Sequence, residues 1–525
     1  MIEWIQITSL KAPFSRWIVM DKGVHLMPEQ YTPNAKNIRI KNATTTKRKW
    51  YMRVADGSVN YVNYIVNMVS AWNSLYALCD DWAVDNSVAL HYVNFSTKTI
   101  PLHTDTRFSH GAEFLRYWNY LLILSEDSAK WYWIDTTPNG SGSGSLVITE
   151  DAYFRFGEVY KHCIYLAWWK DKANILYRSR AGNRETPSNI LDFDDYGSDD
   201  LYFKSKIMWL AAIREQLFVF TEDTIEILGE WESSWILTIT SVPIAWSNQP
   251  VNHRMVVKAD DIVFFRTKEN QMKSLNYMQW VTETVVWDIS HRQNLSIKNF
   301  IDTLDEDQST SFGYYNRNEK TVHWHLKQKW EPMPNVVLVY DVNTDSFFID
   351  TNKYYNCVVE CDNKYYSASS FSPIVFQDDI WTTDDGVAIE RMRKTALLSV
   401  GSPDYRKEFR QLNVYGEKDD DVDIKVDVQV DSQTVFNGTI NASGGSISWI
   451  ASDSIGSDMV AFDTEKWWLK PFEYVITRGN LRARGKNIQV VFSGTSNGDF
   501  CLSWIEIWYK DLYDNEWSDK AKPNK

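Results

Sequence analysis

Hydrophobic and polar residues alternate with a period close to two along nearly the whole chain. The clearest case is residues 422–430, where five β-branched residues alternate with four polar ones. A period of two is typical of a strand with one buried face and one solvated face. Apolar residues at helical spacing are scarce. The pattern therefore predicts an all-β protein.

A polar turn that leads into a short aromatic or aliphatic strand recurs seven times. The first strand residues lie 43 to 60 positions apart, and they are Leu75, Leu121, Ile164, Leu217, Ile262, Val322 and Tyr365. A propeller blade has four short strands and repeats about every 40–50 residues. The repeat predicts a six- or seven-bladed β-propeller. The alternative is a series of β-sandwiches whose hairpins recur by chance.

The pattern changes between residues 388 and 401. Beyond it, strands predicted at 422–430, 486–492 and 500–508 are separated by glycine-rich turns, which is typical of a sandwich. We therefore expect four parts. They are an N-terminal arm (1–60), the β-propeller (61–390), a C-terminal β-sandwich that is jelly-roll-like (391–515), and a flexible tail (516–525).

The aromatic content strengthens this picture. The 525 residues include 25 Trp, 28 Tyr and 24 Phe, together 15% of the chain. Large rings suit half-buried strands and protein–protein interfaces. The composition favours strands, extensive contact surfaces, or both.

The charge and the cysteines narrow the function classes. A net charge of -14 disfavours tight nucleic-acid binding, which needs Lys and Arg at the phosphates, but lets DNA slide past without sticking. Five scattered cysteines indicate assembly in a reducing cytosol rather than a secreted disulfide scaffold. Neither a secretory signal nor a long apolar stretch is visible, so we expect no membrane insertion.

Few residues have the spacing of a metal-binding site. His323 and His325 share a strand face and could ligate a metal, but no third ligand is nearby. Cys357 and Cys361 lack a second cysteine pair, which favours buried thiols over zinc. The acidic pairs Asp194-Asp195 and Asp199-Asp200 lack the glycine and spacing of a calcium loop.

Enzyme signatures are equally weak. Residues 382–386 (Thr-Thr-Asp-Asp-Gly) faintly resemble the aspartate turn of sialidase propellers, but the motif does not recur. No phosphate-cradling loop, nucleophile elbow or redox Cys-x-x-Cys occurs. We expect a protein that is not an enzyme, with no catalytic residue, no metal site and no cofactor; its ligand-binding residues are unknown.

Several segments resemble one phage protein family. They are 175–184, 187–192, 211–228, 252–259 and 259–265, with 26–31 near the start and 485–494 near the end. These segments are similar to the packaged-DNA stabilisation, tail-nozzle or tail-hub proteins of short-tailed phages. Where that family has an Arg-Pro-Gly-type turn after the arm, this chain has Lys47-Arg-Lys-Trp50.

The resemblance implies a structural virion protein, assembled in the host cytoplasm and located in the tail. It implies a homo-oligomeric ring, commonly a hexamer, below the portal and adaptor. Such a ring extends the DNA channel, and it helps to retain and then eject the genome. The implied partners are other copies of the chain, the adaptor and the fibres, with viral DNA passing through without sequence-specific binding.

Two alternatives remain open at this point. The chain could be a receptor- or glycan-binding tail protein whose sandwich uses Trp449, Trp467 and Trp468, although core or interface packing is the commoner role of such residues. A carbohydrate-active propeller enzyme, with two carboxylates across a pocket, is the less favoured one.

Overall fold

The structure is a computed structural model. It describes residues 6–11, 34–36, 38–41, 44–47, 51–58, 62–81, 87–125, 130–136, 143–147, 154–168, 172–179, 199–214, 216–230, 237–242, 250, 252–268, 271–276, 286–289, 300–343, 346–378, 389–395, 397–400, 405–418, 423–440, 470–476, 481, 483–496 and 500–512. The predicted tail, 516–525, lies outside these residues.

Short strands precede the repeated part of the chain. They are β1 (Gln6–Lys11), β2 (Asn34–Lys36), β3 (Ile38–Lys41), β4 (Thr44–Lys47) and β5 (Tyr51–Asp56). Strands β3 and β4 pair only with each other, whereas β1, β2 and β5 each join a larger sheet elsewhere. Strands β1 to β5 are therefore distributed over four sheets.

Within the described ranges, the next strands form seven antiparallel units of four, numbered here as units 1 to 7. Unit 1 contains β6 (Val62–Ala71), β7 (Ser74–Asp81), β8 (Val88–Tyr92) and β9 (Leu102–Phe108). Unit 2 contains β10 (Glu113–Tyr117), β11 (Tyr120–Leu124), β12 (Lys130–Asp135) and β13 (Ser143–Val147). Unit 3 contains β14 (Phe154–Tyr160), β15 (Cys163–Trp168), β16 (Ile175–Arg178) and β17 (Asp199–Tyr202).

Units 4 to 7 continue in the same way. Unit 4 contains β18 (Ile207–Ile213), β19 (Gln216–Thr221), β20 (Ile225–Glu230) and β21 (Leu237–Val242), and unit 5 contains β22 (Val257–Ala259), β23 (Ile262–Arg266), β24 (Met272–Asn276) and β25 (Val286–Asp288). Unit 6 contains β26 (Phe312–Asn316), β27 (Thr321–Leu326), β28 (Val336–Asp341) and β29 (Ser346–Thr351). Unit 7 contains β30 (Tyr355–Cys361), β31 (Lys364–Ser369), β32 (Ile374–Asp378) and β5.

Tight hairpins join the first two strands of each unit. A two-residue hairpin needs backbone in the left-handed region. Positive φ at non-glycine residues occurs in all seven of these turns, at Trp72, Trp118, Lys161, His162, Arg214, Asp260, Lys320, Asp362 and Asn363. The seven strand starts found in the sequence all lie in the second strand of a unit.

The units close into a ring. The first strand of each unit contacts the next unit, and β30 of unit 7 returns to β6 of unit 1. A hydrophobic layer fills each junction: Leu78 and Leu121 meet between units 1 and 2, and Leu75 and Ala368 meet between units 7 and 1. A closed ring of four-stranded antiparallel sheets is a β-propeller, and this one has seven blades.

The seventh blade is completed by the start of the chain. Strand β5 pairs antiparallel with β32, so that Asp56 faces Ile374 and Tyr51 faces Asp378. The expected boundary between arm and propeller at residue 60 therefore needs correction, because β5 lies within residues 1–60. Ring closure requires an outer strand beside β32, and the preceding chain supplies it.

The C-terminal strands form two sheets around one core. They are β33 (Ile389–Lys394), β34 (Arg406–Lys418), β35 (Ile424–Val430), β36 (Gln433–Ile440), β37 (Lys470–Ile476), β38 (Ala483–Gly485), β39 (Ile488–Ser496) and β40 (Phe500–Leu512). One sheet has the order β1-β40-β34-β37, with β38 beside β34, and the other contains β33-β39-β35-β36. Val426, Phe492 and Ile505 lie in the core between them.

The two domains share a sheet. Strand β2 pairs parallel with β29 of blade 6 at Lys36 and Ile349, and antiparallel with β33. One nine-stranded sheet therefore runs from β26 to β36. One residue pair joins β2 to β29 and three join β2 to β33, so backbone pairing connects the sandwich to blade 6. Among the described helical residues, none forms a helix that is long and apolar enough to span a membrane.

Candidate functional site

A short 3-10 turn, His253–Met255, precedes the first strand of blade 5. Together with Asn252 it is called the axial turn below. The Asn252 side chain anchors it by donating to the backbone oxygens of Gln308 and Ser311, the latter at 2.8 Å. Two backbone hydrogen bonds, from Met255 to Asn252 and from Val256 to His253, close the turn.

His253 projects across the ring. Its Nε2 lies 2.8 Å from Oε1 of Glu113, the first residue of β10 in blade 2. Its ring centroid lies 5.0 Å from that of Phe156 in blade 3 and 5.3 Å from that of Trp209 in blade 4. The other Glu113 oxygen accepts from Asn67 Nδ2 of blade 1 at 2.9 Å. One imidazole thus joins three blades directly and a fourth through Glu113.

Arg254 reaches the remaining blades. Its guanidinium lies 5.4 Å from the ring centroid of Phe312 in blade 6 and donates to the carbonyl of Asn356 in blade 7 at 2.7 Å. The Asn356 side chain in turn donates to the carbonyl of Ile65 in blade 1 at 2.8 Å. Because blades on every side contact the axial turn, it occupies the centre of the propeller.

Both partners of the His253–Glu113 hydrogen bond have a lowered pKa, for different reasons. Burial alone would raise the pKa of the Glu113 carboxyl, but the hydrogen bond from His253 and the charges of Arg254 and Arg155 outweigh it and lower that pKa. Burial, assisted by the same two arginines, lowers the pKa of His253 despite its bond to Glu113. At neutral pH the carboxylate is ionised and the imidazole is neutral, with Nε2–H donating to Glu113.

The two faces of the propeller differ. Glu113 and Phe156 lie near the beginnings of their strands, so the axial turn sits at the end of the axis opposite the blade hairpins. Nearer the hairpins, Lys258 of blade 5 bridges to Glu158 of blade 3, Nζ to Oε2, at 2.6 Å. The side that carries the hairpins is called the hairpin face, and the other side the axial-turn face.

Side-chain contacts link the hairpins of neighbouring blades. Arg214 pairs with Asp261, and Tyr315 donates to Asp260 at 2.9 Å. The Trp118 ring stacks on His162, with centroids 5.6 Å apart and 20° between the planes. These bonds stiffen the hairpin face around the axis.

A cleft of about 720 Å³ lies on the axial-turn face beside Asn252. It is lined by Arg266, whose pKa burial lowers to about 10, and by acidic residues of 302–307. Lys327 Nζ lies 3.1 Å from Asp305 and 3.5 Å from Asp307, so a cation of the protein already neutralises these carboxylates.

The predicted histidine pair lies in β27 of blade 6. Both side chains are buried: His323 stacks on Tyr314 and His325 stacks on Phe312, with centroids 4.6 and 4.4 Å apart. Burial, assisted by Lys353, lowers the pKa of His325 well below its usual range. Within the described residues no group of three metal-ligating side chains is present. Both rings pack within blade 6, and His325 also contacts the ring of Tyr355 in blade 7, with centroids 5.4 Å apart.

The cysteine pair lies in the layer between blades 7 and 1. Cys357 and Cys361 are both buried thiols in β30. Burial raises the pKa of Cys357 to about 12 and raises that of Cys361 as well. Their chemistry is that of core packing rather than of a reactive thiolate.

The other candidate residues lie outside the described side chains. Asp199 and Asp200 begin β17, where only the backbone is described. Asp194, Asp195 and residues 382–386 lie outside the described residues, as do Trp449, Trp467 and Trp468. Sequence reasoning missed the axial turn. The feature that could have revealed it is the polar run Asn252-His-Arg directly before the first strand of a blade.

Comparison with known proteins identifies no relative by sequence: no protein family matches the chain, and no curated protein does. A structure of BBS1N in complex with ARL6DN is 10% identical with a TM-score of 0.39, covering 64% of this chain and 97% of that one. The WD40 domain of Toxoplasma gondii coronin is 9% identical with a TM-score of 0.35, covering 66% and 87%.

The N-terminal domain of Nup159 is 8% identical with a TM-score of 0.37, covering 66% of this chain and 99% of that one. Likenesses this distant decide nothing about function. The β-propeller is established by the closed ring of seven sheets, independently of these structures.

Proposed function

We propose that this chain is a ring-forming structural protein of a phage tail, a nozzle or hub component that extends the DNA channel below the portal and adaptor. The observation that carries the proposal is the axial turn. His253 and Arg254 fill the centre of each propeller and contact blades on all sides. Among the described residues these side chains occupy the axis of the propeller, so the channel of this proposal would run between several copies and not through one.

The shared sheet suits such a building block. Strand β2 joins blade 6 to the sandwich by backbone pairing on both of its edges. A ring that withstands pressurised DNA needs subunits whose domains keep one orientation, and ladder hydrogen bonds provide it. The resemblance of segments such as 211–228 and 252–259 to tail-nozzle proteins supports the same role.

The charge is consistent with a passage rather than a binding surface. A net charge of -14 disfavours tight binding of the phosphate backbone. Retention and release of the genome would then depend on the geometry of the ring. Sequence-specific DNA contacts are not part of this proposal.

Electron microscopy of tails labelled at the C-terminus of this chain tests the proposal. We expect the label at regular angular positions around a channel below the portal. A chain that is absent from mature tails, or present as isolated copies away from the channel, would refute it. In parallel, fluorescence anisotropy with a duplex DNA at physiological salt should show no binding.

The glycan-binding alternative has no geometric observation in its favour, since Trp449, Trp467 and Trp468 lie outside the described residues. It stays a prediction that a glycan array tests, together with Trp467→Ala. Turnover of a host polysaccharide by the purified chain would instead support the enzyme alternative.

A further inference from the structure

Two exposed tryptophans stand out on the hairpin face. Trp72 in blade 1 is 49% exposed and Trp118 in blade 2 is 39% exposed. Both occupy the first position of a two-residue hairpin, with φ of 53° and 50°. The equivalent positions in the other two-residue hairpins are charged: Lys161, Arg214, Asp260 and Asp362.

These tryptophans lower the stability of the isolated subunit. A side chain in left-handed backbone costs about 1 kcal/mol or more, and Asn or Gly would avoid most of that cost. The stacking of Trp118 on His162 offsets part of this cost, but each ring still leaves a large apolar area in contact with water. Trp330 has the same backbone strain and a more exposed ring, but it lies on the axial-turn face. What distinguishes Trp72 and Trp118 is that they lie on adjacent blades of one face beside an aromatic cleft, and this grouping points to a contact that forms outside the subunit.

A cleft continues the surface from Trp72 towards blade 7. It has a volume of about 360 Å³ and includes Asn73, the neighbour of Trp72 in the hairpin. Its floor is aromatic, since the rings of Phe95 and Tyr366 lie 5.1 Å apart, and Phe95 is 37% exposed. Cys361 donates a weak hydrogen bond to the Trp72 carbonyl, which holds the hairpin against blade 7.

The charge of this cleft is opposite to that of the chain. Arg53, Lys98 and Lys364 line it. Arg53 pairs with Asp56 at 3.6 Å, which leaves Lys98 and Lys364 against the carboxylate of Asp362. The chain as a whole carries 69 acidic and 55 basic residues. A second copy of the same chain is therefore an acidic partner, and its surface is complementary to this basic and aromatic patch.

We propose that the hairpin face around Trp72, Trp118 and the cleft between blades 7 and 1 is a self-association surface, which receives an acidic surface of a second copy. The inference rests on the proposed ring, and it identifies which side of each propeller contacts its neighbour. Different surfaces meet across such a contact, and this is the heterologous arrangement that closes a ring. Tryptophan anchors rimmed by cations are typical of interface hot spots.

The test compares matched tryptophan variants of the full chain by sedimentation velocity over a range of concentrations. In Trp72→Asn combined with Trp118→Asn, asparagine tolerates the left-handed backbone, so the fold should be retained and thermal melting monitors it. The dissociation constant for self-association should rise by about thirtyfold or more, as expected for loss of a hot spot.

Trp330→Asn is the matched control. Trp330 is 98% exposed with φ of 73°, but it follows β27 and lies on the axial-turn face. Its substitution should change the dissociation constant by less than about threefold, because its ring contacts no part of the hairpin face. Lys98→Glu combined with Lys364→Glu should weaken association, and the wild-type association should weaken as salt increases.

Several results would overturn the inference. They are a wild-type chain that stays monomeric at every concentration, hairpin-face variants that assemble like wild type, and a Trp330→Asn effect as large as theirs. A fluorescent heparin fragment or oligothymidylate that binds wild type, loses binding in Trp72→Asn and leaves association unchanged would reassign the patch to a polyanion. Rings seen on tails despite unaffected variants would leave the proposed function intact and refute only this surface.

Discussion

Replacing His253 by alanine should destabilise the propeller by about 3 kcal/mol at neutral pH. The substitution removes the hydrogen bond to Glu113, whose side chain is only 18% exposed. A hydrogen bond to a charged group contributes about 1.5–3 kcal/mol. It also removes the contacts of the His253 ring with the rings of Phe156 and Trp209, and each such contact contributes about 0.5–1.5 kcal/mol to the free energy of unfolding. These contributions add up to about 2.5–6 kcal/mol, and because Glu113 keeps its bond from Asn67 we expect a loss near the lower end of that range.

The destabilisation caused by His253→Ala should become smaller as the pH falls. The pKa of His253 in the folded chain lies below its unfolded value of 6.5, so the unfolded chain takes up the proton first as the pH falls. The stability that the neutral imidazole contributes is therefore complete above about pH 6.5 and declines below it, by at most about 1.4 kcal/mol per pH unit. The variant lacks this dependence, so its difference from wild type narrows towards pH 5.

Urea unfolding followed by far-ultraviolet circular dichroism at pH 7.5, 6.5 and 5.5 measures both effects. His103→Ala is the comparison variant. His103 is exposed on β9, makes edge contacts with Tyr76 and Tyr92, and has a pKa that partial burial also lowers, so its loss should cost about 1 kcal/mol with a pH dependence of the same sign. The cost of His253→Ala beyond that value reports the bond to Glu113. A His253→Ala effect below 1 kcal/mol would show that the axial turn does not hold the blades together. A difference that widens on acidification would show that the charged imidazolium is the folded form.

Three further predictions follow from packing, backbone and thiol burial. Gly157→Ala should cost about 1–3 kcal/mol in urea unfolding, because a Cβ there would lie 2.8 Å from Leu115 and 3.0 Å from Leu124; wild-type stability would contradict it. Trp72→Asn alone should raise the melting temperature by relieving left-handed strain, and a lower one would contradict the strain argument. Cys357, with a pKa of about 12, should react with iodoacetamide only after unfolding, as mass spectrometry of native and urea-treated protein would show.

The blade repeat was visible in the sequence because the second strand of each blade is the most distinctive. It is flanked by two strands and covered by both neighbouring blades, so β19 and β27 are buried at every position. Such strands form nearly continuous apolar runs, and the hairpin before them adds a polar signal. In the sandwich, β35 alternates buried and less buried residues, and that alternation is what the sequence displayed.

What sequence reasoning could not find depends on contacts between distant residues. Strand β5 looks like any short strand, and only its pairing with β32, more than three hundred positions away, makes it part of the propeller. His253 carries no local mark of its role, since Glu113 precedes it by 140 positions. The candidates that local spacing did suggest, such as His323 and His325, are packing residues.

The start of the chain holds the architecture together. Strand β1 pairs with β40 in one sheet of the sandwich, β2 lies between β29 and β33, and β5 closes the seventh blade. Neither the propeller nor the sandwich is complete without strands from before residue 57, so the two domains depend on one continuous segment. Pairing this segment with both domains costs chain entropy, but its backbone hydrogen bonds hold the propeller and the sandwich in one relative orientation. Such a fixed arrangement would suit the ring subunit proposed above, because surfaces such as the hairpin face would then set the position of each neighbour.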